Sequence, residues 1–350
     1  MKNLLMISLC LMLSQVSAET PKPGEYLGAQ TSETPHWFKD SFLEFEEDVA
    51  EAADENKRVM IYFHQEGCPY CAKLVDENFS KPEIVSFVLK NFDGITINMW
   101  GGREIVSVGG KTFTEKTFAE ALKVQYTPTL LFLNEQGRTI LRLNGYYPPT
   151  KFRQALQYVA QKQETKQSFN EFMLALQPSK SGSLISEDFF SQNTDLAAFL
   201  IQAEKPLAVY FESADCAECA ILHSRVLSDL PTRQLVNEMN NVQLDIYSDA
   251  MLTTIEGERI SHRDYAKKLN IGYTPSVVLF DKKGKEVHRV EGFLKTFHFQ
   301  SSLAYVLEKA YLSQPNFQRY ISTRGEELRA LGFDTDIWGY ESAYPADLSK

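Results

Sequence analysis

The residues best suited to chemistry are four cysteines in two pairs, Cys68-Pro69-Tyr70-Cys71 and Cys216-Ala217-Glu218-Cys219. Each pair follows a short apolar run, where a strand gives way to a helix. Two intervening residues then put both sulfurs on one helical turn, close enough to form and break a disulfide. At a helix N-terminus the unpaired N–H groups and the helix dipole favour negative charge, so the Cys68 thiol should ionise below about 8.5, its free value. A Cys68 thiolate can attack a substrate disulfide, and Cys71, one turn along, can resolve the mixed disulfide. Pro69 suits the first helical turn, where a missing N–H costs nothing. Two other roles are open to the first pair: a static staple, as in many exported proteins, or zinc binding, which lacks a second Cys-x-x-Cys at metal-site spacing.

The neighbours tune this chemistry. His64, four residues before Cys68, would lower the Cys68 pKa if cationic, and Glu66 would push it the other way. His64 can equally be a packed ring, and Lys73 reads as a solvated helix residue. Glu218 lies between the second pair of cysteines and Asp215 just before it, so Cys216 should be the weaker nucleophile. That pair is either a second active site or internal relay, or a structural, slowly exchanging disulfide. His223, one turn beyond Cys219, offers a third metal ligand with no visible fourth.

The elements that must position these residues occur twice. Cys68 and Cys71 recur as Cys216 and Cys219 at an offset of 148; Pro128, Gly137 and Gly145 recur as Pro275, Gly284 and Gly292 at 147. In each copy the pattern predicts a leading helix (39–56, 187–203) and a buried strand (59–63, 207–211). The cysteine helix follows, then a helix begun near Pro82 or Pro231 and a second strand (95–99, 242–247). After each Thr-Pro come a hairpin (129–133 with 138–143, 276–280 with 285–290) and a closing helix (149–163, 296–312). Residues 100–117 and 248–262 read as inserted loops or hairpins ahead of a further helix. A helix at 166–176 leads to a Ser-Lys-Ser-Gly-Ser linker at 179–183. The tail from 314 carries Trp338 and Tyr340 and no cysteine.

At 350 residues the chain is long enough for two domains, and 43% hydrophobic with 23% charged residues fits a globular rather than a disordered class. Residues 1–18 read as a secretory signal, with Lys2, a ten-residue apolar core at 4–13 and Val16-Ser17-Ala18 as a cleavage site. Cys10 lies inside it and is left out of the chemistry. Cleavage removes one cation, so the formal charge of −10 becomes −11. An acidic surface argues against nucleic acid and anionic membrane as partners, and no later stretch is apolar enough for membrane insertion. The expected partners are protein thiols and disulfides, with a thiol protein as electron donor or acceptor and no cofactor or metal.

The stretch Ile61-Tyr62-Phe63-His64-Gln65-Glu66-Gly67-Cys68-Pro69-Tyr70-Cys71, the Thr-Pro motifs and their repetition resemble the thioredoxin superfamily over about 37–162 and 188–311. With His36-Trp37-Phe38-Lys39 upstream, the first unit looks most like exported SoxW-type thioredoxins of bacterial sulfur-oxidation systems. The resemblance implies an α/β fold of two thioredoxin-like domains, each a mixed β-sheet flanked by helices. The expected division is 1–18 signal, 37–165 first domain, 166–186 helix and linker, 187–312 second domain, and 313–350 extension. In this fold Thr127-Pro128 should be cis, setting the Thr127 backbone opposite the sulfurs as an edge for an extended substrate. Thr274-Pro275 retains that platform in the second unit. The resemblance further implies a Gram-negative periplasm and a thiol reductase, with an oxidase/isomerase or a non-catalytic binding module as the alternatives. Two departures stand out: Tyr62 and Tyr210 occupy the place of the family's buried acid, and neither pair encloses Gly-Pro.

Overall fold

A computed structural model describes residues 22–176, 182–202 and 204–342. The anticipated signal at 1–18 and Ser179–Ser181 of the anticipated linker lie outside the described residues. The first half runs β1 (Tyr26–Leu27), α1 (Phe45–Asp54), β2 (Arg58–His64), α2 (Pro69–Leu74), α3 (Pro82–Asn91), β3 (Phe92–Asn98), β4 (Glu104–Val106) and β5 (Thr112–Thr114). It continues with α4 (Glu115–Ala121), β6 (Thr129–Leu133), β7 (Thr139–Asn144), α5 (Pro149–Ala160) and α6 (Phe169–Leu176). The second half repeats the order with α7 (Leu196–Gln202), β8 (Leu207–Glu212), α8 (Ala217–Ile221), α9 (Leu230–Asn237), β9 (Asn240–Asp245), β10 (Met251–Thr253) and β11 (Arg259–Ser261). Then come α10 (His262–Lys268), β12 (Ser276–Phe280), β13 (Glu286–Glu291), α11 (Thr296–Leu307), α12 (Phe317–Ala330) and β14 (Thr335–Asp336).

Each half holds a four-stranded sheet, β3-β2-β6-β7 and β9-β8-β12-β13. The first two strands of each are parallel and the other pairings antiparallel. The central strands explain themselves: every residue of β8 and all but the last of β2 is buried, as an apolar run covered on both faces requires. The insertions 100–117 and 248–262 form hairpins, β4–β5 and β10–β11, each feeding a short helix. The leading helices are shorter than the sequence pattern suggests. Leu43 is left-handed (φ 64°), which ends helical geometry before α1, and Glu187 is engaged in ion pairs ahead of α7.

The two halves meet along their β7 and β13 edges. Asn144 donates to Glu291 at 2.7 Å, a contact between equivalent positions of the two copies. Each half also extends one helix past its closing helix. The Tyr158 hydroxyl donates to the Gln167 carbonyl (2.9 Å) before α6, and the Tyr305 hydroxyl to the Gln314 carbonyl (2.7 Å) before α12. Each trailing helix packs on the closing helix of its own half, Tyr158 against Phe169 and Phe172 and Tyr305 against Phe317 and Tyr320, and its start reaches the other half. At the start of α6, Phe169 and Asn170 lie against Gly272, just ahead of the second Thr-Pro. On α12 the Phe317 N–H donates to Gln125 Oε1 at 2.7 Å, just ahead of the first Thr-Pro. The front of the C-terminal extension is therefore the second copy of the 166–176 helix.

Candidate active site

The helix that follows Cys68 starts where the chain needs it to. Cys68 is extended and caps α2, its Sγ accepting from the Cys71 N–H at 3.1 Å, with Pro69 in the first turn. The two sulfurs are joined as a disulfide, as are those of Cys216 and Cys219. Thr127-Pro128 is cis and brings the Thr127 carbonyl oxygen to 3.5 Å from Cys68 Sγ. Gln65 fixes this platform: its Nε2 donates to Thr127 Oγ1 and its Oε1 accepts from Trp100 Nε1 (2.9 and 2.7 Å). The second half repeats the plan with smaller groups. Cys216 Sγ accepts from the Cys219 N–H at 3.0 Å, Thr274-Pro275 is cis, and Ser213 meets Thr274 through their hydroxyls at 3.4 Å.

The neighbours expected to tune the first pair divide between buried and exposed. His64 lies on the Tyr62 ring (5.4 Å between centroids), and burial pulls its pKa below the ordinary value despite Glu115, so near neutrality the ring is uncharged. It therefore lends Cys68 no cationic push at that pH. Glu66 is exposed. Beneath the sheet's end Tyr62 and Tyr210 are almost fully buried with unpartnered hydroxyls, and burial raises both pKa values far above the ordinary one. Phenols this reluctant to ionise do not replace a carboxylate as proton acceptor.

The second pair carries features that no local reading of the sequence reveals. Lys151, on α5 of the first half, lies 3.9 Å over the Tyr273 ring. Burial lowers its pKa, and the charges of Glu218 and Asp215 partly restore it. The carboxylates set to oppose a Cys216 thiolate thus face a cation from the other half. His223 does not turn toward the sulfurs as a metal ligand. Its Nε2 lies 3.0 Å from Glu212 and its Nδ1 3.0 Å from Glu187. Glu212, 1% exposed and four residues before Cys216, is a buried acid two residues beyond Tyr210.

This geometry, a helix-capping cysteine opposite a cis Thr-Pro, agrees with the comparisons. The thioredoxin-like domain family matches twice, over 45–160 and 193–307, which together exceed half of the chain. The chain belongs to the thioredoxin-like domain family. A thiol:disulfide interchange protein DsbD from Photorhabdus laumondii is 29% identical over 108 residues, covering 30% of this chain and 17% of that protein. The chain thus spans about a sixth of that relative's length. Among solved structures, a thioredoxin-fold protein from Helicobacter pylori is 21% identical (40% of this chain, 87% of that one, TM-score 0.34). The reduced C-terminal domain of DsbD from Neisseria meningitidis is 15% identical (33% and 90%, TM-score 0.26). Among the described residues no helix is long and apolar enough to cross a membrane.

Proposed function

We propose that this thioredoxin-like chain is an exported thiol–disulfide oxidoreductase that acts on protein substrates through Cys68 and Cys71, in the reducing direction. The observation that carries the reading is Cys68 Sγ at the N-terminus of α2, accepting from the Cys71 N–H, with the Thr127 carbonyl 3.5 Å away. With the pair reduced, the Cys68 thiolate attacks one sulfur of a substrate disulfide. A Cys68–substrate bond forms and the substrate's other sulfur leaves as thiolate. Cys71 then attacks Cys68 Sγ, the original pair closes, and the second substrate sulfur is released; two electrons have passed to the substrate. An extended substrate segment would lie along Thr127-Pro128. An outside thiol protein must then reduce the pair again. The signal-like residues 1–18 and the similarity to DsbD support export to a periplasm, and the SoxW-type resemblance of the first motif supports reduction.

Two measurements test this. Cys71→Ala should accumulate mixed disulfides through Cys68, and Cys68→Ala should not; a chain that traps nothing is a binding module. The potential of the first pair, measured with Cys216 and Cys219 both replaced by alanine, should fall near −270 mV, roughly the thioredoxin value. A value of about −120 to −180 mV would make the chain an oxidase or isomerase.

A further inference from the structure

The first cysteine pair is enclosed. Cys68 is only 5% exposed and Cys71 fully buried. Three pieces lie against the residues that flank the pair, Gly67, Tyr70 and Gln65. In the first, β1 and β14 pair as a parallel two-stranded clasp, Tyr26 opposite Thr335 and Leu27 opposite Asp336. The chain leaving the clasp crosses the loop before Cys68, where the Gln30 N–H faces the Gly67 carbonyl at 3.4 Å. In the second, Tyr70, between the two cysteines, sits edge-on to Trp338 (4.9 Å) and to His298 (5.2 Å), and its hydroxyl accepts from the Lys295 N–H at 2.8 Å. Lys295 in turn holds Trp338, its Nζ lying 4.0 Å from the ring. In the third, Gln318 of α12 accepts from Gln65 Nε2 at 2.9 Å, the same nitrogen that fixes Thr127.

We propose that these three contacts form an autoinhibitory cap: the structure is the closed state, and protein disulfides reach Cys68 only when the 24–30 and 335–340 segments come off Tyr70 and Gly67. The inference rests on the oxidoreductase reading for its purpose, not for its geometry. A substrate must bring a disulfide in line with Cys68 Sγ and its backbone beside Thr127, and in the closed state the chain's own residues hold both approaches. The apparent exchange rate then scales with the fraction of molecules that are open. The clasp is the natural element to open, because only two residues of each strand pair and Tyr26 and Leu27 are 48% and 40% exposed.

The test uses the full chain, reduced, with Cys68 alkylation by iodoacetamide followed by peptide mapping. Gly28→Val and Trp338→Ala are the variants. A Cβ at Gly28, whose φ is +82°, would fall 2.7 Å from Trp338 Cβ, so both changes strike the clasp and neither touches the cysteines. Both should speed Cys68 alkylation about tenfold or more, since the open fraction rises. The Cys68 pKa, read from the pH profile of the rate, should stay unchanged, as should labelling of Cys219. Equal rates in wild type and variants, or a gain explained wholly by a changed pKa, overturns the cap. Should a variant unfold, hydrogen exchange of the wild type decides. Faster exchange in 24–30 and 335–340 than in β2 and β6 supports the cap, and equal protection overturns it. A cap that opens in a chain whose Cys71→Ala form traps no partner would refute the enzyme reading alone. Trapping without any change in alkylation would refute the cap alone.

Discussion

Glu212 shows how much a single side chain depends on distant partners. A carboxylate 1% exposed at the end of β8 is tolerable only because His223 binds it and Gln243 donates to it at 2.9 Å. Burial alone would lower the His223 pKa, but Glu212 and then Glu187 outweigh it and the net shift is upward. A base whose folded pKa is raised adds stability that is complete below its unfolded pKa, about 6.5, and is lost as pH rises through the folded value. His223→Gln should therefore cost most stability below about pH 6.5 and progressively less above it. Urea melts of both proteins at several pH values check this; a pH-independent difference would mean that the imidazolium charge plays no part. The pair also marks a limit of sequence reading. Glu212 stands in plain view four residues before Cys216, but Glu187, 36 residues before His223, joins it only through the fold.

At the scale of elements, a buried carboxylate ties the hairpin β4–β5 to the end of β3. Glu115, 2% exposed at the start of α4, accepts from the backbone N–H groups of Asn98 and Arg103 (3.0 and 3.2 Å) and from the Arg103 guanidinium at 2.7 Å. Glu115→Gln keeps the shape but sets an amide N–H against these donors. It should destabilise the chain by about 1–3 kcal/mol, the cost of leaving buried groups unpaired. A lowered urea midpoint with unchanged slope would register it, whereas an unchanged midpoint would mean the hairpin is anchored elsewhere. The strands β6 and β12 coincide with their sequence-expected limits because a short buried apolar run between a proline and a turn admits few other readings. The insertions were legible as hairpin or loop for the same local reason. What the start of α12 meets is not legible: its amphipathic pattern states that one face is covered, but not that Gln125, nearly 200 residues earlier, accepts from its first N–H. The contacts around Tyr70 are illegible on the same ground, since Tyr70, Lys295 and Trp338 meet only where the first half packs against the second half and the C-terminal extension.

At the scale of the whole molecule, the seam between the halves responds to pH in the opposite sense to His223. Tyr126, beside the first Thr-Pro, donates its hydroxyl proton to the Arg289 carbonyl at 2.6 Å. Its oxygen is left to accept from His288 Nε2 at 2.5 Å, so the neutral imidazole carries its proton there. Around His288 stand the rings of Tyr126, Tyr305 and Phe317, centroids 5.6, 5.3 and 4.2 Å away, and burial lowers its pKa to about 3. Here the folded pKa lies below the unfolded one, so the unfolded chain binds the extra proton as pH falls. Stability is intact above about pH 6.5 and is lost progressively toward pH 3, by about 2 kcal/mol at pH 5. His288→Gln cannot titrate and should flatten that acid slope, although it lowers stability at pH 7 by loosening the ring packing. The His223 contribution changes above about pH 6.5 and the His288 contribution below it, so the two occupy different parts of the pH range. Each must be read as a difference from its own variant. If His288→Gln leaves the slope between pH 7 and 5 unchanged, the seam is open to water around that ring. Cys68 alkylation, measured over the same pH range and corrected for thiolate fraction, then tells whether the seam and the cap loosen together.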